Sequence, residues 1–203
     1  MTPQVLPPIL DLAGVAVFAL TGALLAARLR QTFVTMAFFA LVTGVGGGSL
    51  RDMLLGAPAF WLRDPWVAPV IFATALIAWF TPRRWWEGEL LEWADAAGLA
   101  AFSVLGAAKA LGYGVAPVPA AVLGVVTGCI GGVARDVIAG EPSIIMRPEL
   151  YVTAAALAAA VTVVGTLLHV PEGITWAVAW TVGFALRGAA IRFRLALPAY
   201  REP

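Results

Sequence analysis

Charged side chains are scarce in this chain, so the places where they gather are the candidate working parts. Arg51 and Asp52 are adjacent, and the same pair recurs as Arg135 and Asp136. Each pair follows a glycine run. Residues 44–64 read GVGGGSLRDMLLGAPAFWLRD, and residues 128–148 read GCIGGVARDVIAGEPSIIMRP. Charges set in apolar sequence are expensive in a membrane and are functional candidates by default. The plainer alternative is an interfacial pair that ends a helix, with Gly56 and Pro58 forming the turn that follows. Both readings stand at this level. Neighbouring helical residues point about 100° apart, so partners on other helices are expected for these charges rather than pairing within each Arg–Asp dipeptide.

The remaining ionisable groups are few. Lys109 is the only lysine, in AFSVLGAAKALGYG, with no acid within four residues. It must snorkel or face a cavity. Facing a pore, it would repel cations or move with voltage, at about 2.3 kcal/mol per charge per 100 mV. Asp11 and Asp95 open their spans and read as N-caps. His169 is the only histidine, lone and interfacial, so no ligand role is expected of it. Cys129 is the only cysteine, which excludes an internal disulfide and a thiolate metal cluster. A Ser-His-Asp set, an HExxH motif and a phosphate loop are all missing, so neither an enzyme nor a metal or cofactor site is expected.

These groups need elements to position them, and composition says which. Hydrophobic residues make up 61% of the chain and charged residues 12%, with mean hydropathy +0.90. That charge fraction is about half that of an ordinary soluble domain, so the chain reads as an integral membrane protein. A net charge of +1 argues against nucleic acid as a partner. The opening MTPQVLPP lacks a basic residue, so a secretory leader is not expected. Hydropathy predicts seven helical spans near 9–28, 33–54, 66–81, 94–113, 117–139, 150–169 and 174–194, the third being the shortest. Arg28, Arg30, Arg83, Arg84, Arg147, Arg192, Arg194 and Arg201 fall on one side if the spans alternate, against Arg63 and Arg51 on the other. The positive-inside rule then predicts an outside N-terminus and a cytoplasmic C-terminus for a multi-pass protein of the cell (inner) membrane. Trp61 and Trp66, and Trp85, Trp86 and Trp93, suit interfacial belts. Trp176 and Trp180 lie inside the seventh span, facing lipid or packing.

The chain also matches itself at a shift of 84 residues. Asp11, Gly14, Phe18 and Gly22 fall on Asp95, Gly98, Phe102 and Gly106. Thr43, Gly44, Gly47, Gly48, Arg51 and Asp52 fall on Thr127, Gly128, Gly131, Gly132, Arg135 and Asp136, and Gly56, Pro58 and Arg63 on Gly140, Pro142 and Arg147. A unit of three spans is odd, so the copies must enter the membrane in opposite directions. This predicts an all-α fold of an inverted three-plus-three repeat (1–84 and 85–170), with a seventh helix and short tail (171–203). Such repeats place their path near the axis between the copies, on helices broken at mid-depth. Gly44 lies about 18 Å along the second span and Gly48 about 24 Å. Each glycine costs a helix roughly 1 kcal/mol against alanine, so Gly46-Gly47-Gly48 and Gly131-Gly132 are expected to kink or unwind the second and fifth spans. The competing role for the same glycines is close helix packing.

The tandem GGxxRDxxxGxP units, seven spans and outside N-terminus resemble the bacterial members of the trimeric intracellular cation channel family, whose domain carries an older label as a glycine transporter. The resemblance covers nearly the whole chain. It implies a homotrimer with a pore in each protomer, lined by glycine-kinked second and fifth helices and passing monovalent cations, chiefly potassium. It also implies a gating role for Lys109. Membrane lipid is the other ligand compatible with this reading. Two positions depart from the pattern: Ile130 stands where the first copy has Gly46, so the second kink is expected to be weaker, and the C-terminal tail is short. The rival reading is a secondary transporter for a small zwitterion such as glycine, which the same architecture permits.

Overall fold

The computed structural model describes residues 8–82 and 89–198. Seven α-helices follow in order: α1 (Pro8–Arg28), α2 (Phe33–Leu54), α3 (Val67–Phe80), α4 (Leu90–Gly112), α5 (Pro117–Ala139), α6 (Val152–Leu167) and α7 (Glu172–Phe193). Short 3₁₀ turns at Phe60–Leu62 and Ile144–Met146 precede α3 and α6. Five helices are long and apolar enough to span a bilayer. The exceptions are α3, with 14 residues, and α6, with 16. These are the third helix of each repeat, and at about 21 and 24 Å both fall short of a hydrocarbon core of about 30 Å. The predicted arginines 83, 84 and 201 and tryptophans 85 and 86 lie outside the described residues.

Local chemistry sets the helix ends. Thr32 caps α2 by accepting the Thr35 backbone N–H at 3.3 Å. Pro117 starts α5 where its missing N–H costs nothing. Gly56 and Gly140 take left-handed φ values of 66° and 69° just past α2 and α5, the conformation glycine adopts most cheaply.

Side-chain neighbours fix the helix directions. A Cβ added to Gly47 would overlap the Thr127 carbonyl oxygen, and one on Gly131 would meet the Thr43 carbonyl oxygen at 2.6 Å. Ascending α2 therefore means descending α5. The same crossing relates α1 and α4: Gly14 lies against the Phe102 ring, Gly98 against the Phe18 ring, and the two rings stack at 5.1 Å. Within the repeats α1 and α2 also run antiparallel, Gly44 lying against Val15 and Gly22 against Phe39, and so do α5 and α6, Gly124 lying against Ala159 and Gly132 against Tyr151 at the α6 start. The first and fourth helices, and the second and fifth, are thus inverted copies in reciprocal contact. This is the seven-helix inverted repeat, with α7 outside it.

Beside the repeat, α7 packs along α4 and α6. Trp180 stacks on Phe184 at 4.9 Å and its Nε1 donates to the Ala97 carbonyl at 3.2 Å. With Trp176 it lines an apolar cavity of about 460 Å³ between α1, α4 and α7. Trp61 donates to Ser49 Oγ at 3.0 Å. His169 is exposed in the α6–α7 turn, at φ 56°.

Candidate functional site

At the centre of the molecule α2 and α5 cross on their glycines. Both helices are hydrogen-bonded without a break through Gly44–Gly48 and Gly128–Gly132. The helices do not unwind there, and the glycines give close approach between them. Gly47 and Gly131 leave room for the opposing backbone, Gly48 for the Phe60 ring, and Gly132 for the Tyr151 hydroxyl. Gly44 and Gly128 seat their helices on α1 and α4. Gly46 alone of the run has room to spare: an added Cβ would meet only Gly131 Cα, at 3.8 Å. The Thr43 and Thr127 hydroxyls turn back onto their own helices, donating to the carbonyls of Phe39 and Leu123 at 2.7 and 2.6 Å. Neither hydroxyl is aimed at the crossing.

The Arg–Asp pairs sit at opposite ends of this helix pair. In the second repeat Arg135 is gripped twice: Nε donates to Asp136 Oδ1 at 2.9 Å, and NH1 to Asp95 Oδ1 at 2.8 Å. Asp136 uses its other oxygen to accept the Ile144 backbone N–H at 2.9 Å. In the first repeat Arg51 Nε donates to Asp52 Oδ1 at 2.7 Å, and Asp52 Oδ2 accepts the Phe60 N–H at 2.8 Å. Each Asp therefore also holds the 3₁₀ turn eight residues on, which folds the chain back after the left-handed glycine. Lys109, on α4, completes the first cluster by donating to Asp52 Oδ1 at 2.8 Å.

Three expectations are corrected here. The Arg–Asp neighbours do pair with each other, because an arginine is long enough to bend its head back across the 100° between them. Asp95 is no N-cap: α4 begins at Leu90, and Asp95 is buried inside it on Arg135. Asp11 likewise lies within the first turn of α1, with Oδ1 buried and unbonded. Lys109 finds its acid on another helix. It is a partly exposed partner of Asp52, its side chain 16% exposed.

A further cluster escaped the sequence reading. Arg187 of α7, 1% exposed, pairs with Glu149 at 2.7 Å and lies over the Tyr151 ring at 5.3 Å. It fastens α7 to the α5–α6 connection, where Leu197 N–H donates to the Pro148 carbonyl at 2.6 Å. The available signal was a lone cation inside an apolar span, between Leu186 and Gly188.

The fold and its buried charges define a multi-pass membrane protein built from two inverted three-helix units, and comparison with known proteins agrees. The family model described as Glycine transporter matches twice, over residues 8–83 and 92–167. A UPF0126 membrane protein of Vibrio cholerae is 38% identical, the alignment covering 95% of this chain and 82% of that one. The UPF0126 inner membrane protein YadS of Escherichia coli K12 is 37% identical, with 94% of each chain covered. Among solved structures, the trimeric intracellular cation channel orthologue from Rhodobacter sphaeroides superposes with a TM-score of 0.85 at 36% identity, covering 93% of this chain and 98% of that one. The chain belongs to the trimeric intracellular cation channel family, in its tandem Glycine transporter domain form.

Proposed function

We propose that the protein is a passive, potassium-permeable cation channel, a homotrimer with one path in each protomer between α2 and α5. The observation that carries this reading is the antiparallel crossing of two glycine-bearing helices with a buried ion cluster at each end. Charges kept at such cost within a membrane mark ion pathways more often than scaffolding. The likeness to solved cation channels supports the same class. In this reading the Gly47–Thr127 and Gly131–Thr43 contacts are the closed constriction. Conduction requires α2 and α5 to bend or part there, which glycine tolerates and larger residues resist. Few acids line the route, so potassium passes with much of its hydration intact and is held too weakly to be captured. The side bearing Arg28, Arg30, Arg147, Arg192 and Arg194 is cytoplasmic, which leaves the N-terminus and the Lys109 cluster outside.

Purified protein in planar bilayers under asymmetric KCl and NaCl tests this. Unitary currents reversing near the potassium equilibrium potential are expected. Silent bilayers from folded protein would count against the channel. A second reading, transport of a small zwitterion, is favoured by one observation: Arg51 keeps two buried nitrogens unbonded in the same cluster as an unbonded Asp11 oxygen. Those are complements of a carboxylate and an ammonium. Saturable glycine uptake without conductance would favour it.

A further inference from the structure

The first cluster is unevenly satisfied. Arg51 uses only Nε, and both terminal nitrogens are buried without a hydrogen-bond partner. Lys109 sits on the same Asp52 oxygen that Arg51 uses, so two cations crowd one atom. Meanwhile Asp11 lies one turn before Val15, which packs on Gly44, so antiparallel α1 and α2 bring it level with the last turns of α2 that carry Arg51, and it has a buried oxygen that accepts nothing. The second repeat holds the bond that the first lacks. There Arg135 keeps Nε on Asp136 while NH1 reaches Asp95, the counterpart of Asp11, at 2.8 Å. An arrangement in which Arg51 also reaches Asp11 is therefore one that this protein already builds from the same residue types on the equivalent pair of helices, α4 and α5.

We propose that Arg51 alternates between Asp52 and Asp11, and that this exchange sets how firmly Asp52 holds Lys109. With Arg51 on Asp52, two donors compete for one oxygen and Lys109 is loosely held. With Arg51 turned to Asp11, each cation has its own carboxylate and Lys109 is gripped, tying α4 to α2. The drive is electrostatic: buried unpaired donors and acceptors are costly, and two positive charges on one oxygen repel. No atom needs to leave the cluster. The consequence for conductance rests on the channel reading above, because a gripped Lys109 braces α2 against the movement that opens the crossing; the exchange itself does not rest on it.

Lys109 is the only lysine, so its acylation by a small water-soluble amine reagent is read directly from peptide mass in the full-length, liposome-reconstituted protein. Asp11→Asn removes the alternative partner and is expected to speed Lys109 acylation roughly two- to fivefold, the factor matching a partly exposed ion pair. Asp11→Glu keeps the charge but reaches further toward Arg51, and is expected to slow acylation below wild type. An Asn variant that labels no faster overturns the exchange. A Glu variant that labels at the wild-type rate or faster also overturns it, because a through-space field alone would not distinguish Glu from Asp. Recorded in parallel, Asp11→Asn should raise open probability. Silent bilayers alongside the predicted labelling pattern would count against the channel and leave the exchange standing.

Discussion

The two repeats carry the same Arg–Asp motif and settle it differently. In the second, Arg135 is held by Asp95 and Asp136 together, and Tyr151, the residue just before α6, lies against the cluster. In the first, Arg51 holds Asp52 alone, lies over the Phe60 ring at 5.6 Å, and shares its carboxylate with Lys109. The residues that differ explain why. Leu25 occupies the repeat position of Lys109, and Val67 that of Tyr151. Duplication supplied a common frame, and two side chains divided it into a locked end and an adjustable end. A symmetric fold can thus carry an asymmetric function without changing its backbone plan.

The largest effect should come from unlocking the second cluster. Arg135→Ala leaves the Asp95 and Asp136 carboxylates buried without a cation, and is expected to cost about 3–5 kcal/mol, read as a lower unfolding temperature in detergent or loss of folded protein. Arg51→Ala should cost clearly less, because Lys109 still neutralises Asp52. Equal losses would erase the distinction between the ends. Next comes the crossing. Gly47→Ala forces a methyl into the Thr127 carbonyl and is expected to destabilise by about 1–3 kcal/mol. Gly46→Ala, one residue away, would meet only Gly131 Cα at an ordinary 3.8 Å, and should be neutral or stabilise by up to about 1 kcal/mol, the usual helix preference for alanine. If both variants lose stability alike, backbone conformation rather than close approach dictates the glycine run. Smallest in stability is Lys109→Ala, at most about 1 kcal/mol for a partly exposed pair, but it should change open probability or rectification. Unchanged gating would take Lys109 out of the mechanism.

Much of this arrangement could be read from residue types alone. Apolar run lengths located all seven helices to within a few residues, because a bilayer leaves the backbone no other satisfied form. The 84-residue shift gave the inversion through simple parity. What escaped was decided by side-chain reach and by neighbours distant in sequence. Hydropathy put the start of α4 at residue 94, so Asp95 read as a cap; the helix in fact begins at Leu90, and Asp95 turns inward to Arg135. The glycine runs predict a kink, with close packing as the competing role, and it takes the opposing carbonyls of Thr43 and Thr127 to show the packing. Arg187 could be noticed as a buried cation, yet its partner Glu149 lies on another connection, and nothing in their spacing joins them.

The central claim is that a hydrated route runs along the facing sides of α2 and α5. Its most direct test places a single cysteine at Ile130, half-buried beside the crossing, in a Cys129→Ser background, and compares it with Val122→Cys, which is 58% exposed on the outer face of α5. A cationic methanethiosulfonate applied during bilayer recording should reduce current through the Ile130→Cys channel and leave the Val122→Cys channel unchanged. Block at Val122→Cys with none at Ile130→Cys would contradict the account.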